Sequence, residues 1–190
     1  MGPEIIPVIG LVVIFLLPIV YVLGTYNRLV KLRFMIRESW SNVDTELKRR
    51  YDLIPNLVET VKGYAAHERG VLEAVVRART AAIASTGSPA SQARDENELV
   101  RQMRSLWAVV ERYPDLKANE NFLALQHELT NTEDRIQAAR RFYNGNVRVL
   151  NVLVQSVPSN LVAGMFGFTE AEYFEIEDSS VRAPVHVSLT

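Results

Sequence analysis

The sequence contains no cysteine. That absence excludes disulfides, thiolate catalysis and every cysteine-containing zinc site. Histidine is scarce, with three residues at His67, His127 and His186. His67-Glu68 and His127-Glu128 open like a zinc-protease motif, but Val71 and Asn131 stand where the second histidine is needed. Both histidines therefore read as helix-surface residues. No Glu is followed by His three residues later, the spacing that carboxylate-bridged metal bundles use. There is no phosphate-binding G-x-x-x-x-G-K-[ST] loop and no G-x-S-x-G nucleophile elbow. A net charge of −1 supplies no basic field to attract nucleic acid. The expectation is a protein that is not an enzyme, with no catalytic residue, metal or cofactor.

Charge is missing from one stretch altogether. Between Ile5 and Tyr26 no side chain is charged. At about 1.5 Å per residue this run is roughly 33 Å long, enough to cross a hydrocarbon core of about 30 Å. Pro18 lies inside it, a placement that membrane helices tolerate. Tyr21 and Tyr26 lie near its end, where aromatic rings suit the headgroup layer. A cleaved signal peptide would carry positive charge first and a small-residue cleavage site afterwards. Here Glu4 precedes the run, no A-x-A follows it, and Arg28, Lys31, Arg33 and Arg37 come next. Cations beside a span favour the cytoplasmic side. The reading is a single-pass membrane protein with its large domain in the cytoplasm.

Strand alternation is also absent from Leu29 to Ala84. Ile36, Trp40, Val43, Leu47, Ile54, Leu57, Val61 and Ala65 recur at steps of mainly three, four or seven. That is an apolar helical seam close to the heptad period. It predicts one helix over 29–84, about 84 Å long, with a kink or break near Asp52–Pro55 because proline lacks a donor. Ser85–Ser91 reads as a loop by composition. A shorter helix follows over 96–113, Pro114 ends it, and 115–119 reads as a connector. A second long helix over 120–157 carries a seam that includes Phe122, Leu129, Ile136, Tyr143 and Val147, and Pro158 closes it.

The fold class expected is all-α, with an N-terminal transmembrane helix continuing into an elongated antiparallel bundle of long helices. The domains are 1–27, short N-terminus and span; 28–158, cytoplasmic bundle; and 159–190, C-terminal tail. In that tail Met165, Phe166, Phe168, Tyr173 and Phe174 are interspersed with acidic residues. It reads first as a segment whose aromatics dock on the bundle, and alternatively as an interaction motif. Residues after Ser179 look loosely structured or β-like.

Two charge clusters stand out. Lys48-Arg49-Arg50 precedes Asp52, and Glu133, Asp134, Arg135, Arg140 and Arg141 crowd the second long helix. The preferred reading is a solvated face with weak i,i+4 pairs. The other is interhelical pairing that fixes register. The first long helix outruns the second, which should leave about 27 Å without that partner. Ile36, Trp40 and Val43 lie on this membrane-proximal stripe. They and Phe166, Phe168, Tyr173 and Phe174 are the candidate interaction residues, with homo-oligomers expected near Trp40.

Several longer strings resemble one known family. They are Tyr26-Asn27-Arg28-Leu29-Val30, ELKRRYDLIPNLVETVKGYAAHE over 46–68, YPDLKANENFLALQHEL over 113–129, TEDRIQAARRFYNGNV over 132–147, and PSNLVAGMFGF in the tail. Through them the sequence resembles the LemA family of bacterial membrane proteins over nearly its whole length. The resemblance implies one N-terminal span, an elongated antiparallel helical bundle and a bacterial membrane location. It does not imply an enzyme, and it points toward envelope stress and membrane proteases as context. The function expected is a membrane-anchored scaffold or adaptor, acting as an oligomer. Its partners would be the lipid bilayer, further copies and another membrane protein such as a membrane protease. The alternative is an envelope-stress or membrane-remodelling protein acting by helical polymerisation, which would need an additional lipid-lying amphipathic helix.

Overall fold

Apolar residues three and four apart, without strand alternation, commit nearly all of the chain to helix. In a computed structural model, which describes residues 5–176 and side chains from Ile14 onward, every regular element is an α-helix. The elements are α1 (Ile5–Tyr64), α2 (Arg69–Ala84), α3 (Pro89–Val110), α4 (Pro114–Lys117), α5 (Glu120–Gln155) and α6 (Ser159–Met165). The all-α class is as expected, and α1 runs without interruption from the uncharged segment into the packed part of the chain. Its first portion is long and apolar enough to cross a membrane. Ile14 to Val20 are all exposed, unlike the core helix of a soluble protein. The expectation for residues after Ser179 and His186 lie outside the described residues.

The chain divides into two compact units. The first holds residues up to 43 together with 141–172. Its core is Leu29 and Leu32 of α1, Leu150 of α5, Val162 and Ala163 of α6, and Phe168 beyond it. Ser39 of α1 donates to the carbonyls of Met35 and Ile36, and accepts a bond from Asn146 of α5. Trp40 packs its ring 5.2 Å from that of Tyr143. Within this unit α1 and α5 run antiparallel, since Leu32 meets Leu150 while Trp40 meets Tyr143. Leu32 and Val43 are buried, and Ile36 and Trp40 half-buried. The stripe expected to be uncovered is therefore covered, and past residue 28 the first long helix, ending at Tyr64, is no longer than α5.

α6 ends on a left-handed glycine. Gly167 has φ 67°, Phe168 N donates to Ala163 O at 2.9 Å, and Gly167 N donates to Gly164 O at 3.4 Å. This paired closure, with Phe168 buried beside Ala163, is the common glycine stop for a helix.

The second unit holds residues 44–140 and the tail from 173. Here α2 packs against α3. Leu57, Leu129 and Ile136 are all buried, as the seam predicted. Three boundaries differ from expectation. The helix does not break near Pro55 but at Tyr64, where a turn over 65–68 leads into α2. Pro55 deprives the Tyr51 carbonyl of its helical donor, and Arg79 Nε of α2 supplies one at 2.6 Å. The interruption is thereby repaired from a neighbouring helix. The third helix starts earlier than expected, with Pro89 at its first position, where the missing N–H costs nothing. The connector over 115–119 contains a single turn of helix, α4.

Candidate functional site

The most buried chemistry in the second unit comes from the two charge clusters. Arg50 lies three residues after Leu47 and four before Ile54, so it shares the buried stripe of α1. Glu96 lies three before Leu99 and seven before Met103, on the buried stripe of α3. The helices bring the two together, and both side chains are almost wholly buried. One Glu96 oxygen accepts from Arg50 Nη2 and the other from the Tyr51 hydroxyl. Arg50 Nη1 donates to Glu133 of α5 at 3.0 Å. Burial pushes the Glu96 carboxyl above its ordinary value, against the opposing pull of Arg50 and the Tyr51 hydroxyl. Burial, then the Glu96 charge, pushes the Tyr51 hydroxyl up strongly.

For Arg50 and Glu133 this overturns the preferred reading of a solvated face. The pairing is interhelical, as the other reading has it, because the seam position of Arg50 turns its charge inward. Lys48 is solvated and pairs with Asp44 four residues earlier, at 2.7 Å. Glu96 was not among the predicted residues. Its signal was available, since a carboxylate on the same helical stripe as Leu99, Met103 and Leu106 must find a cation when that stripe is buried.

Beside the network lies a cleft of about 370 Å³. Val100, Met103 and Trp107 of α3 line one side, with Ile136 of α5 and Ile176 among the other apolar walls. Arg104, Arg140, Glu133 and Asp134 supply both signs of charge at its surface. Among the described residues no group of acidic or histidine side chains could hold a metal ion. His67 is exposed in the turn between α1 and α2, not on a helix, and His127 is exposed on α5 beside Asn131.

The tail residues are distributed between the units. In the first, Asn151 brackets Ala171 through its backbone, donating to the carbonyl at 2.9 Å and accepting from the amide at 2.8 Å. The Tyr143 hydroxyl donates to Glu172 O at 2.9 Å. Burial, helped by the Glu172 charge, pushes that hydroxyl up to about 12. Phe168 is buried under Arg33, whose guanidinium carbon lies 4.2 Å from the ring centre. In the second unit Asn97 donates to Glu175 O at 3.2 Å, and Arg140 donates to Ile176 O. Phe174 and Ile176 are buried. The first reading of the tail, docking, therefore describes residues 168–176. Of the candidate interaction residues, Val43, Phe168 and Phe174 are core, Ile36 and Trp40 are half-buried, and Phe166 and Tyr173 remain exposed.

A family model described as the LemA family matches residues 39–189. The chain belongs to the LemA family. The match covers both the Arg50–Glu96–Glu133 network and the docked tail, and it begins after the apolar run. Among curated relatives, the chain is 28% identical to magnetosome protein MamQ 1 of Paramagnetospirillum magneticum, over 89% of this chain and 73% of that protein. It is 25% identical to magnetosome protein MamQ of Magnetospirillum gryphiswaldense, over 78% and 64% respectively. It is also 25% identical to protein LemA of Metamycoplasma hominis, over 86% of this chain and 78% of that protein. The LemA similarity thus reaches across nearly the whole chain, which agrees with the resemblance read from its strings.

Proposed function

We propose that this LemA-family chain is a non-enzymatic adaptor, anchored by α1 in the bacterial cytoplasmic membrane, that binds other membrane proteins and works as an oligomer. The observation that carries this reading is the cleft of the second unit. Its lining mixes apolar side chains with both signs of charge, and the buried Arg50 at its wall is held by Glu96 and Glu133, while Glu96 has both oxygens occupied. A catalytic carboxylate needs access to substrate. Glu96 has both oxygens occupied and is sealed from solvent, which supports a structural role. Arg28, Lys31, Arg33 and Arg37 after the apolar run favour a cytoplasmic location for both units.

The test uses a photocrosslinking residue in place of exposed Arg104 at the cleft, in the full-length protein in its native membrane. A matched position outside the cleft, Arg77, is the control. The reading expects defined adducts with membrane proteins from position 104 alone, and self-adducts where copies associate. The same adduct pattern from both positions, or none from position 104, overturns it.

A second reading, action on the membrane itself, is favoured by one observation. The sequence lacked an obvious lipid-lying helix, but α6 presents apolar side chains outward next to the end of the apolar run.

A further inference from the structure

In α6 two faces of one short helix are apolar. Val162 and Ala163 turn inward and complete the core with Leu29, Leu32 and Leu150. Leu161 and Met165, four residues apart and so on one face, turn outward. They are 69% and 72% exposed. Val157 just before the helix is 80% exposed, and Phe166 just after it 46%. A folded protein in water gains nothing from clustering its most exposed large apolar residues in one ten-residue stretch.

The position of this stretch identifies its solvent. The Phe166 ring lies 4.7 Å from that of Tyr26, the residue that closes the uncharged run of α1. Val22, inside that run, packs against the same core as Val162 and Ala163. α6 is therefore held level with the last turn of the apolar run. On α1 the next residues are cationic, with Arg28, Lys31, Arg33 and Arg37 all exposed. Outward apolar side chains at the level where a span ends, with cations following on α1, match the acyl–headgroup boundary of an anionic leaflet.

We propose that α6 is a lipid-facing element. Leu161, Met165 and Phe166, with Val157, sit in the interface of the leaflet from which α1 emerges, and the flanking cations of α1 engage its anionic headgroups. The inference rests on the reading of α1 as a membrane anchor. It goes further by giving the first unit a second attachment. A helix tethered at one point can swivel; a unit held by α1 and α6 together has a fixed face toward the bilayer.

The absence of cysteine makes the test direct, since any introduced cysteine is unique. Full-length Met165→Cys, Leu161→Cys, Leu17→Cys and Thr80→Cys variants carry a nitroxide label. They are placed in vesicles of phosphatidylcholine, with or without phosphatidylglycerol. The ratio of collisions with oxygen to collisions with a water-soluble nickel chelate is then measured. All four sites are outside the packed cores, and circular dichroism checks that helix content is retained. The expectation is a several-fold higher ratio at positions 161 and 165 than at position 80, rising further with phosphatidylglycerol. If position 17 reports lipid while 161 and 165 behave like 80, the lipid-facing role of α6 is wrong and the anchor stands. If position 17 itself reports water, the anchor reading fails. Strong spin–spin broadening at position 165 without oxygen exposure would assign the face to a second copy and overturn the proposal. Equal ratios in the two vesicles would remove the cations from it.

Discussion

Arg50 and Glu96 provide a sharp test of how the second unit is held together. Removing Arg50 strands the Glu96 carboxylate in the interior, and removing Glu96 leaves buried Arg50 with the part-exposed Glu133 as its one counter-charge. Breaking a buried pair from one side costs about 3–5 kcal/mol. That is a large share of a typical domain stability of about 5–15 kcal/mol. Arg50→Met keeps the length of the stem and deletes the guanidinium, and Glu96→Leu keeps volume and deletes the carboxylate. In the double variant no buried charge is left. Glu133 is 38% exposed and can turn to water. The remaining loss is the acceptor of the Tyr51 hydroxyl, about 1–3 kcal/mol. Each single variant should therefore be destabilised by about 3–5 kcal/mol and the double by about 1–3 kcal/mol, an interaction of about 3 kcal/mol or more. Urea unfolding of the full chain in detergent measures this. The two tryptophans lie in different units, so a Trp40→Phe background leaves Trp107, 6.0 Å from Phe122, as the reporter of the second unit. Additive losses, or single variants costing under about 1 kcal/mol as exposed pairs do, would refute the reasoning.

Leu129→Ala should lower the stability of the second unit by about 2–5 kcal/mol, read by the same Trp107 transition; near-native unfolding would show that the seam of α5 is misassigned. Arg79→Met should cost about 1–3 kcal/mol by orphaning the Tyr51 carbonyl, and most of that cost should vanish when Pro55→Ala restores a backbone donor. The unfolded Tyr143 hydroxyl ionises near pH 10 and the folded one near 12, so the folded state binds more protons in between and its contribution, complete below 10, is lost as pH rises toward 12. Tyr143→Phe should flatten that alkaline fall in circular dichroism, and an unchanged profile would exclude Tyr143 as its source. Reporter fusions at Thr190 should be active only when the reporter requires the cytoplasm; the opposite pattern would reverse the topology.

Much of the fold was legible because proline and apolar spacing punctuate it. Pro158 lies just past the end of α5, while Pro114 opens α4 instead of ending α3, which stops at Val110, and the seams of α1 and α5 predicted Leu57, Leu129 and Ile136 as core. The errors share a cause: each depends on a residue distant in sequence. Pro55 would kink or break an isolated helix, and here the burial of Ile54 and Leu57 and the donor from Arg79 hold it continuous. The turn after Tyr64 carries no proline, so the pattern seemed to continue into α2. The burial of Arg50 was ambiguous from its own neighbours, since a cation on a seam is tolerated only where a carboxylate such as Glu96 arrives from another helix. The tail docks, as its first reading has it, but four of its anchoring bonds go to the carbonyls of Ala171, Glu172, Glu175 and Ile176. Backbone recognition of that kind leaves no trace in side-chain identity, so the alternation of aromatic and acidic residues could not say which way the tail would face.

The bond from Arg79 to Tyr51 makes the continuity of α1 conditional. While α2 is seated, the helix passes Pro55 with its orphaned carbonyl satisfied. Once α2 lifts, the same carbonyl loses its donor at the very turn where proline already withholds one. The second unit thus fills, from a neighbouring helix, the donor that proline withholds from α1. Helicity at this point is a tertiary property. A ligand or partner that displaced α2 would not only expose the surface beneath it, it would also create a hinge in the helix that leads back toward the membrane.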